Sequence, residues 1–210
     1  APRDVIQSAA EGYQLDMWAN QPYRPEVWIE KDALIGVIES VCSQWDLPHF
    51  SCRGYTSQSE MWEAGQRIQK WIDGGQTPMI FHFGDHDPSG KDMTRDITER
   101  LRMFMGGVEL HRMALNMDQV RKYKPPPNPA KITDSRASVY IKEFGKSSWE
   151  LDALEPKVIV GLIAGSVKKI LDAETWDEDV RRMESERKLL QKTADRWSDV
   201  ARMMKKKRKK

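Results

Sequence analysis

The stretch Phe81-His82-Phe83-Gly84-Asp85-His86-Asp87-Pro88-Ser89-Gly90 constrains this chain more than any other. It follows an apolar run, Met79 to Phe83, that reads as a buried strand. It precedes Met93, Ile97, Leu101 and Phe104, which share one face of a 3.6-residue period and predict a helix. Ser89 is the expected N-cap of that helix, and Gly90 lets the backbone turn tightly. Asp85 and Asp87 then stand in a strand-to-helix turn. In an open parallel sheet, ligands bind outside the carboxyl ends of strands, and two carboxylates there make a hard-oxygen site suited to Mg²⁺. Aspartates in such a turn also bond their own backbone as caps. Taken alone, Asp-x-Asp reads as that capping turn.

A second segment has the same layout. Glu26-Val27-Trp28-Ile29-Glu30 is a short apolar strand ending in an acid. Leu34, Val37, Ile38, Val41 and Trp45 then give the following helix a single apolar face. Glu30 is therefore also expected at a strand's carboxyl end, with room for one more strand and helix before Asp85.

These residues resemble the Toprim domain, and within it the A subunit of topoisomerase VI and its meiotic double-strand-break relatives. Val27-Trp28-Ile29-Glu30-Lys31-Asp32-Ala33-Leu34 is similar to that family's "VEKDA" strand end, Arg53-Gly54-Tyr55 to its "GKGYP" loop, and Asp85-His86-Asp87-Pro88-Ser89-Gly90 to its "DADPxG" turn. The likeness covers about residues 24–115, with a fainter echo at Glu150 to Leu154. His86 replaces the usual small residue and Arg53 a lysine; neither change removes a carboxylate. The resemblance implies an α/β fold, a Toprim-like parallel four-stranded sheet flanked by helices. It implies Glu30, Asp85 and Asp87 as catalytic residues around Mg²⁺, for which Mn²⁺ substitutes. Glu30 would also shuttle a proton at the 3′ oxygen of a cut strand. Lys31, Arg53 and Lys91 are the candidate DNA contacts, although Lys31 and Lys91 also suit ordinary solvent-facing lysines and Arg53 a surface ion pair. Glu150 is a candidate outer-shell residue; the alternative is that Ser147 or Ser148 caps a helix whose first turn favours acids.

Composition excludes several classes. Among 210 residues, 39% are hydrophobic and 31% charged, enough for a core in a water-soluble chain. No apolar run reaches membrane-spanning length and no signal peptide is visible, so a cytoplasmic protein with no membrane contact is expected. Cys42 and Cys52 lack metal-ligand or disulfide-framework spacing and read as reduced thiols. The net charge of +2 makes no global case for nucleic acid, so an electropositive surface must be local.

The remaining segments frame this centre. Residues 1–23 are expected as an N-terminal helix and linker, with Ile6, Ala9, Tyr13 and Met17 as its stripe. The resembled family carries a winged-helix domain with a nucleophilic tyrosine before its Toprim domain. One helix leaves no room for it here, so the chain reads as a fragment or processed product, and Tyr13 by spacing as a packed helix residue. Leu47 to Cys52 and Val108 to Leu115 are strand candidates, with a helix to about Asp73 opened by a Ser57/Glu60 capping box and Gly106-Gly107 ending the helix after the acidic turn. The order β-α-β-α-β-α-β predicts a parallel sheet over 24–115. Residues 116–171 are a helical and proline-rich extension, with Pro125 to Pro129 polyproline-like and a buried helix from Pro156 to Leu171. Residues 172–204 form one long charged helix. Met183, Leu190, Trp197 and Met204 recur every seven residues, a stripe that packs on its own domain or pairs two chains as a homodimer through 174–204. Lys205 to Lys210 is a basic tail suited to phosphates.

The function expected from this set is Mg²⁺-dependent cleavage of DNA phosphodiesters, of the topoisomerase or nuclease kind. The alternatives are a non-enzymatic DNA-binding and assembly module and, further off, primase-like nucleotidyl transfer.

Overall fold

A computed structural model describes residues 1–52, 58–104, 108–130 and 136–207. The chain divides into two compact units, one built from 1–20 with 172–210 and one from 21–171.

The larger unit is an α/β layer structure around β1 (Tyr23–Ile29), β2 (His49–Ser51), β3 (Thr77–Phe83) and β4 (Glu109–Ala114). The four strands lie parallel in the order β2-β1-β3-β4. They are separated by α2 (Ile35–Gln44), α3 (Gln58–Asp73) and α4 (Pro88–Phe104). The expected parallel four-stranded sheet is therefore present, with β1 and β3 at its centre. β1 starts at Tyr23, inside the segment expected as a loop, and contains Pro25. The sheet tolerates this proline because β2 pairs only from Val27 onward, so the missing N–H of Pro25 faces no strand.

Side chains alternate across the sheet. Trp28 and Ile80 point to the face covered by α3 and α4, where they pack with Met61, Ile68, Met93, Ile97 and Leu101. The sequence period of α4 thus marks its buried side, although nothing is described of the Phe104 side chain. On β1 and β4 packs α7 (Pro156–Ile170), whose Ile159, Ile163 and Val167 are buried, and α2 packs on α7.

After β4 come α5 (Met117–Tyr123), β5 (Asn128–Pro129), α6 (Ala137–Phe144) and β6 (Ser147–Ser148). The prolines of 125–129 end in an antiparallel bridge to β6 rather than along the main sheet. Ser147 and Ser148 consequently belong to a strand, and the single 3-10 turn that follows, Leu151–Ala153, has Glu150 at its cap position with no side-chain cap bond. The expected serine cap is absent because those serines are already paired.

In the smaller unit, α1 (Pro2–Gly12) packs on α8 (Ala173–Asp195). The first helix is shorter than its stripe suggested: the chain turns extended at Tyr13. The expected single helix over 172–204 is two, because Arg196 breaks it before α9 (Trp197–Lys207). No glycine or proline marks that break. No helix among the described residues is long and apolar enough to cross a membrane.

Candidate metal centre

The register of the two central strands builds the site. Ile29 of β1 pairs with Phe83 of β3, and the Glu30 N–H continues the ladder to the Phe83 carbonyl at 2.8 Å. Glu30 and Gly84, the first residues beyond the strands, are therefore neighbours on the carboxyl rim. The Glu30 carboxylate lies over the turn: Oε2 accepts the Asp85 N–H at 2.9 Å. Both nearby glycines are required by this approach. A Cβ on Gly84 would meet Glu30 Oε2 at 2.7 Å, and one on Gly90 would meet the Asp85 carbonyl oxygen at 2.3 Å. Gly90 thus serves close packing inside the first turn of α4, not the tight turn expected of it.

The three predicted acids do gather at this rim, in different states. Burial pushes the Glu30 carboxyl up to about 7; repulsion from Asp85 and Asp87 adds to this, and the Asp85 N–H and the Arg112 charge oppose it. Asp85 is also raised by burial, against a 2.7 Å hydrogen bond from the Leu151 N–H to its Oδ1 and the charge of Lys31. Asp87 caps α4: its Oδ1 accepts the Gly90 N–H at 2.6 Å, and its carbonyl accepts the Lys91 N–H at 3.0 Å. The helix begins at Pro88, a residue suited to the first helical position, so Asp87 takes the role expected of Ser89.

The other predicted residues are placed as follows. Lys31 Nζ is held among three carboxylates, 3.0 Å from Asp152, 3.1 Å from Glu150 and 3.4 Å from Asp85. Burial lowers its pKa, but the hydrogen bonds to Asp152 and Glu150 and the Asp85 charge outweigh this and raise it. Glu150 reaches the rim through that ammonium, as an outer residue, and also accepts from Asn128 Nδ2 at 3.4 Å. Lys91, in the first turn of α4, stands 5.3 Å over the Phe144 ring and makes no ion pair among the described residues. Burial lowers its pKa, assisted by Arg112 and opposed by Glu143. Arg53 lies outside the described residues.

Tyr13, in the smaller unit, gives its hydroxyl to the Glu186 carboxylate, and this bond raises its pKa. Cys42 and Cys52 are free and buried, and burial pushes each thiol up to about 12.

Three further residues matter here; of these only His86 is weighed from sequence, as a phosphate contact or an exposed bystander, and its burial overturns the exposed alternative. His86, between the two aspartates, is enclosed by Tyr140, Phe144 and Trp149. Its Nδ1 is 2.7 Å from the Tyr140 hydroxyl, and its backbone exchanges two hydrogen bonds with Trp149. This bridge docks the segment carrying Glu150 and Leu151 against the acidic turn. Burial lowers the imidazole to about 4, so the ring is neutral at ordinary pH. The second is His82, buried under the turn, its Nδ1 3.1 Å from Thr94 Oγ1 and its Nε2 without a partner among the described residues. The third is Arg112 of β4, whose guanidinium bonds the carbonyls of Gly84, Asp85 and Gly90. The available signal was a lone arginine in an alternating strand adjoining the acidic turn.

Whether a cation fits here follows from the donors. Among the described residues, no group of three or more histidine, cysteine, aspartate or glutamate side chains is arranged to hold a metal ion. Mg²⁺ does not require one, since it is commonly held by one or two carboxylates and keeps several waters. Glu30 and Asp85 each spend one oxygen on a backbone N–H. Burial and mutual repulsion disfavour the ionised pair, a cost that either a proton or a divalent ion relieves. An ion held here would draw on the remaining oxygens of Glu30 and Asp85 and on water. Comparison with protein-family models, with curated proteins and with solved structures gives no match for this chain.

Proposed function

We propose that the larger unit is a Toprim-like catalytic centre for Mg²⁺-dependent cleavage of DNA phosphodiesters, related to the topoisomerase VI A branch or to the Toprim nucleases. The observation that carries this is the pairing of β1 with β3, which brings Glu30 onto the Asp85–Asp87 turn with its carboxyl raised to about 7. Glu30 and Asp85 would hold the metal, with Asp87 contributing from its cap position. Bound there, Mg²⁺ or Mn²⁺ supplies neutralisation of phosphate charge and of the leaving oxygen.

The chain's own groups do the rest. Glu30 would give and take the proton at a 3′ oxygen only while off the ion, because a cation on its carboxylate lowers the pKa from about 7. Lys91, which makes no ion pair among the described residues, would receive a backbone phosphate beside Asp87. Lys31 screens Asp85 and Glu150 rather than presenting a free charge to DNA. The nucleophile is either a tyrosine or water.

A second interpretation is a non-enzymatic DNA-binding and assembly module. It is favoured by the Lys31 ammonium among its carboxylates and by Asp87 acting as a cap, both of which are structural uses of the acids. In it, α8 and α9 pair two chains.

Supercoiled plasmid incubated with Mg²⁺ or Mn²⁺ separates the two. The catalytic proposal expects nicked or linear product from wild type, reduced by roughly two orders of magnitude or more in Glu30→Gln and Asp85→Asn. Equal activity in all three rejects this centre. DNA binding indifferent to metal, together with oligomers lost on deleting 174–210, establishes the assembly module instead.

A further inference from the structure

Arg112 is a largely buried cation with no ion pair among the described residues. Its Nη2 donates to the carbonyls of Gly84 at 3.0 Å, Asp85 at 2.5 Å and Leu115 at 3.4 Å. Its Nη1 donates to the Gly90 carbonyl at 3.0 Å and to Thr94 Oγ1. Nε is enclosed and has no partner among the described residues. Burying a charge without a paired counter-charge is costly, and the expense is visible in its pKa, pulled down to about 10 by burial and held up by Glu30, Asp85 and Asp87. Carbonyl oxygens can be satisfied by neutral donors, so ordinary stability does not call for an arginine here.

The partners explain the choice. Gly84, Asp85 and Gly90 are the start, the first acid and the far side of the acidic turn, and a guanidinium presents its donors in a fixed planar fork that reaches all three at once. The same Nη1 would lie 3.3 Å from a Cβ on Gly84, the position over which Glu30 Oε2 rests. A lysine ammonium on a flexible stem holds no such plane.

We propose that Arg112 is the positioning residue of the centre: by gathering the carbonyls of the turn from below it fixes where Asp85 and Asp87 stand relative to Glu30, and so sets the cation affinity of the rim. The metal part of this inference rests on the function proposed above; the clamp on the turn does not.

The sign of the effect makes the test. Arg112→Gln removes a positive charge near the carboxylates, which by electrostatics alone tightens cation binding. Positioning predicts the reverse. In the full chain, Mn²⁺ affinity followed by electron paramagnetic resonance should fall by about 10–100-fold, the range for outer partners of metal ligands. Arg112→Lys, which keeps the charge, should recover only part of it. Amide hydrogen exchange of the metal-free protein is the second readout. The Asp85 and Gly90 amides should exchange faster by about tenfold or more, while Ile80 and Phe81 in β3 keep their protection. Should Arg112→Gln fail to fold, Thr94→Val removes one partner of the guanidinium and should move both readouts the same way by less. Unchanged turn amides, or tighter Mn²⁺ binding in Arg112→Gln, overturn the proposal. If wild type binds no Mn²⁺ the metal reading fails, and the exchange experiment alone decides the clamp.

Discussion

Glu26 inside β1 and Glu30 just past its end meet opposite fates. Glu26 in the middle of β1 is fully buried and fully answered: Arg67 Nε and Nη2 bond its two oxygens at 2.8 and 3.0 Å, and Trp28 Nε1 adds a third bond at 2.9 Å. Glu30 just past the end of that strand receives one backbone N–H, faces two aspartates, and has its nearest guanidinium committed to carbonyls. Both side chains point to the same face of the sheet, by alternation. The difference lies in compensation. A buried carboxylate with a dedicated partner is a structural element, and removing the partner strands it. A buried carboxylate left short of partners stores unfavourable energy that a proton or a cation can release.

The sharpest way to break this contrast is to remove the partner of the satisfied acid. Arg67→Met leaves Glu26 buried with only Trp28 for company. It should lose about 1–3 kcal/mol of unfolding free energy, the cost of leaving a buried acceptor short of a donor, because Arg67 itself is half-exposed, with Mn²⁺ affinity at the rim unchanged. Urea unfolding at pH 8 measures the first quantity. Glu30→Gln should show the reverse pattern, with cation binding lost and no comparable loss of stability. If Glu30→Gln destabilises as much as Arg67→Met, the two acids are equivalent and the rim has no special status.

The pH dependence of Glu30 is comparable in size. A carboxyl raised from 4.5 to about 7 holds its proton more tightly in the folded chain than in the unfolded one. Its favourable contribution is therefore complete below pH 4.5 and is lost as pH rises through 7. The full excursion is roughly 3 kcal/mol at 1.36 kcal/mol per pH unit. Buried His82 and His86, lowered to about 3 and about 4, act oppositely: the unfolded chain takes up their protons as pH drops below 6.5, and stability falls there. The total profile mixes these, so the informative quantity is wild type minus Glu30→Gln. That difference should turn against wild type between pH 5 and 8, and Mg²⁺ should restore it. A flat difference removes the stored-energy account.

How much of this was legible in the sequence follows from the physics of each part. The alternation of Val27–Glu30, Met79–Phe83 and Val108–Leu115 with helical stripes gave the parallel α/β layer, because periodicity records burial directly. The juxtaposition of Glu30 with Asp85 followed only from a motif likeness, since pairing of β1 with β3 is not encoded locally. Arg112 escaped because its bonds are to carbonyls, which carry no sequence signature. The burial of His86 escaped because its cage, Tyr140, Phe144 and Trp149, lies more than fifty residues away in the chain. The break at Arg196 escaped because no helix-breaking residue marks it.

The smallest effect separates the two uses of Asp87. As the N-cap of α4 its Oδ1 takes the Gly90 N–H, a job asparagine does equally well and alanine does not. Asp87→Ala should therefore cost about 1 kcal/mol, and Asp87→Asn only a few tenths. Charge is what distinguishes aspartate from asparagine here. If Asp87 contributes to the cation site, Asp87→Asn weakens Mn²⁺ binding in a protein that melts like wild type, and the rim uses one side chain for both the helix and the ion. If Asp87→Asn binds Mn²⁺ as wild type does, Asp87 belongs with Glu26 among the structural acids, and the unsatisfied charge narrows to Glu30 and Asp85.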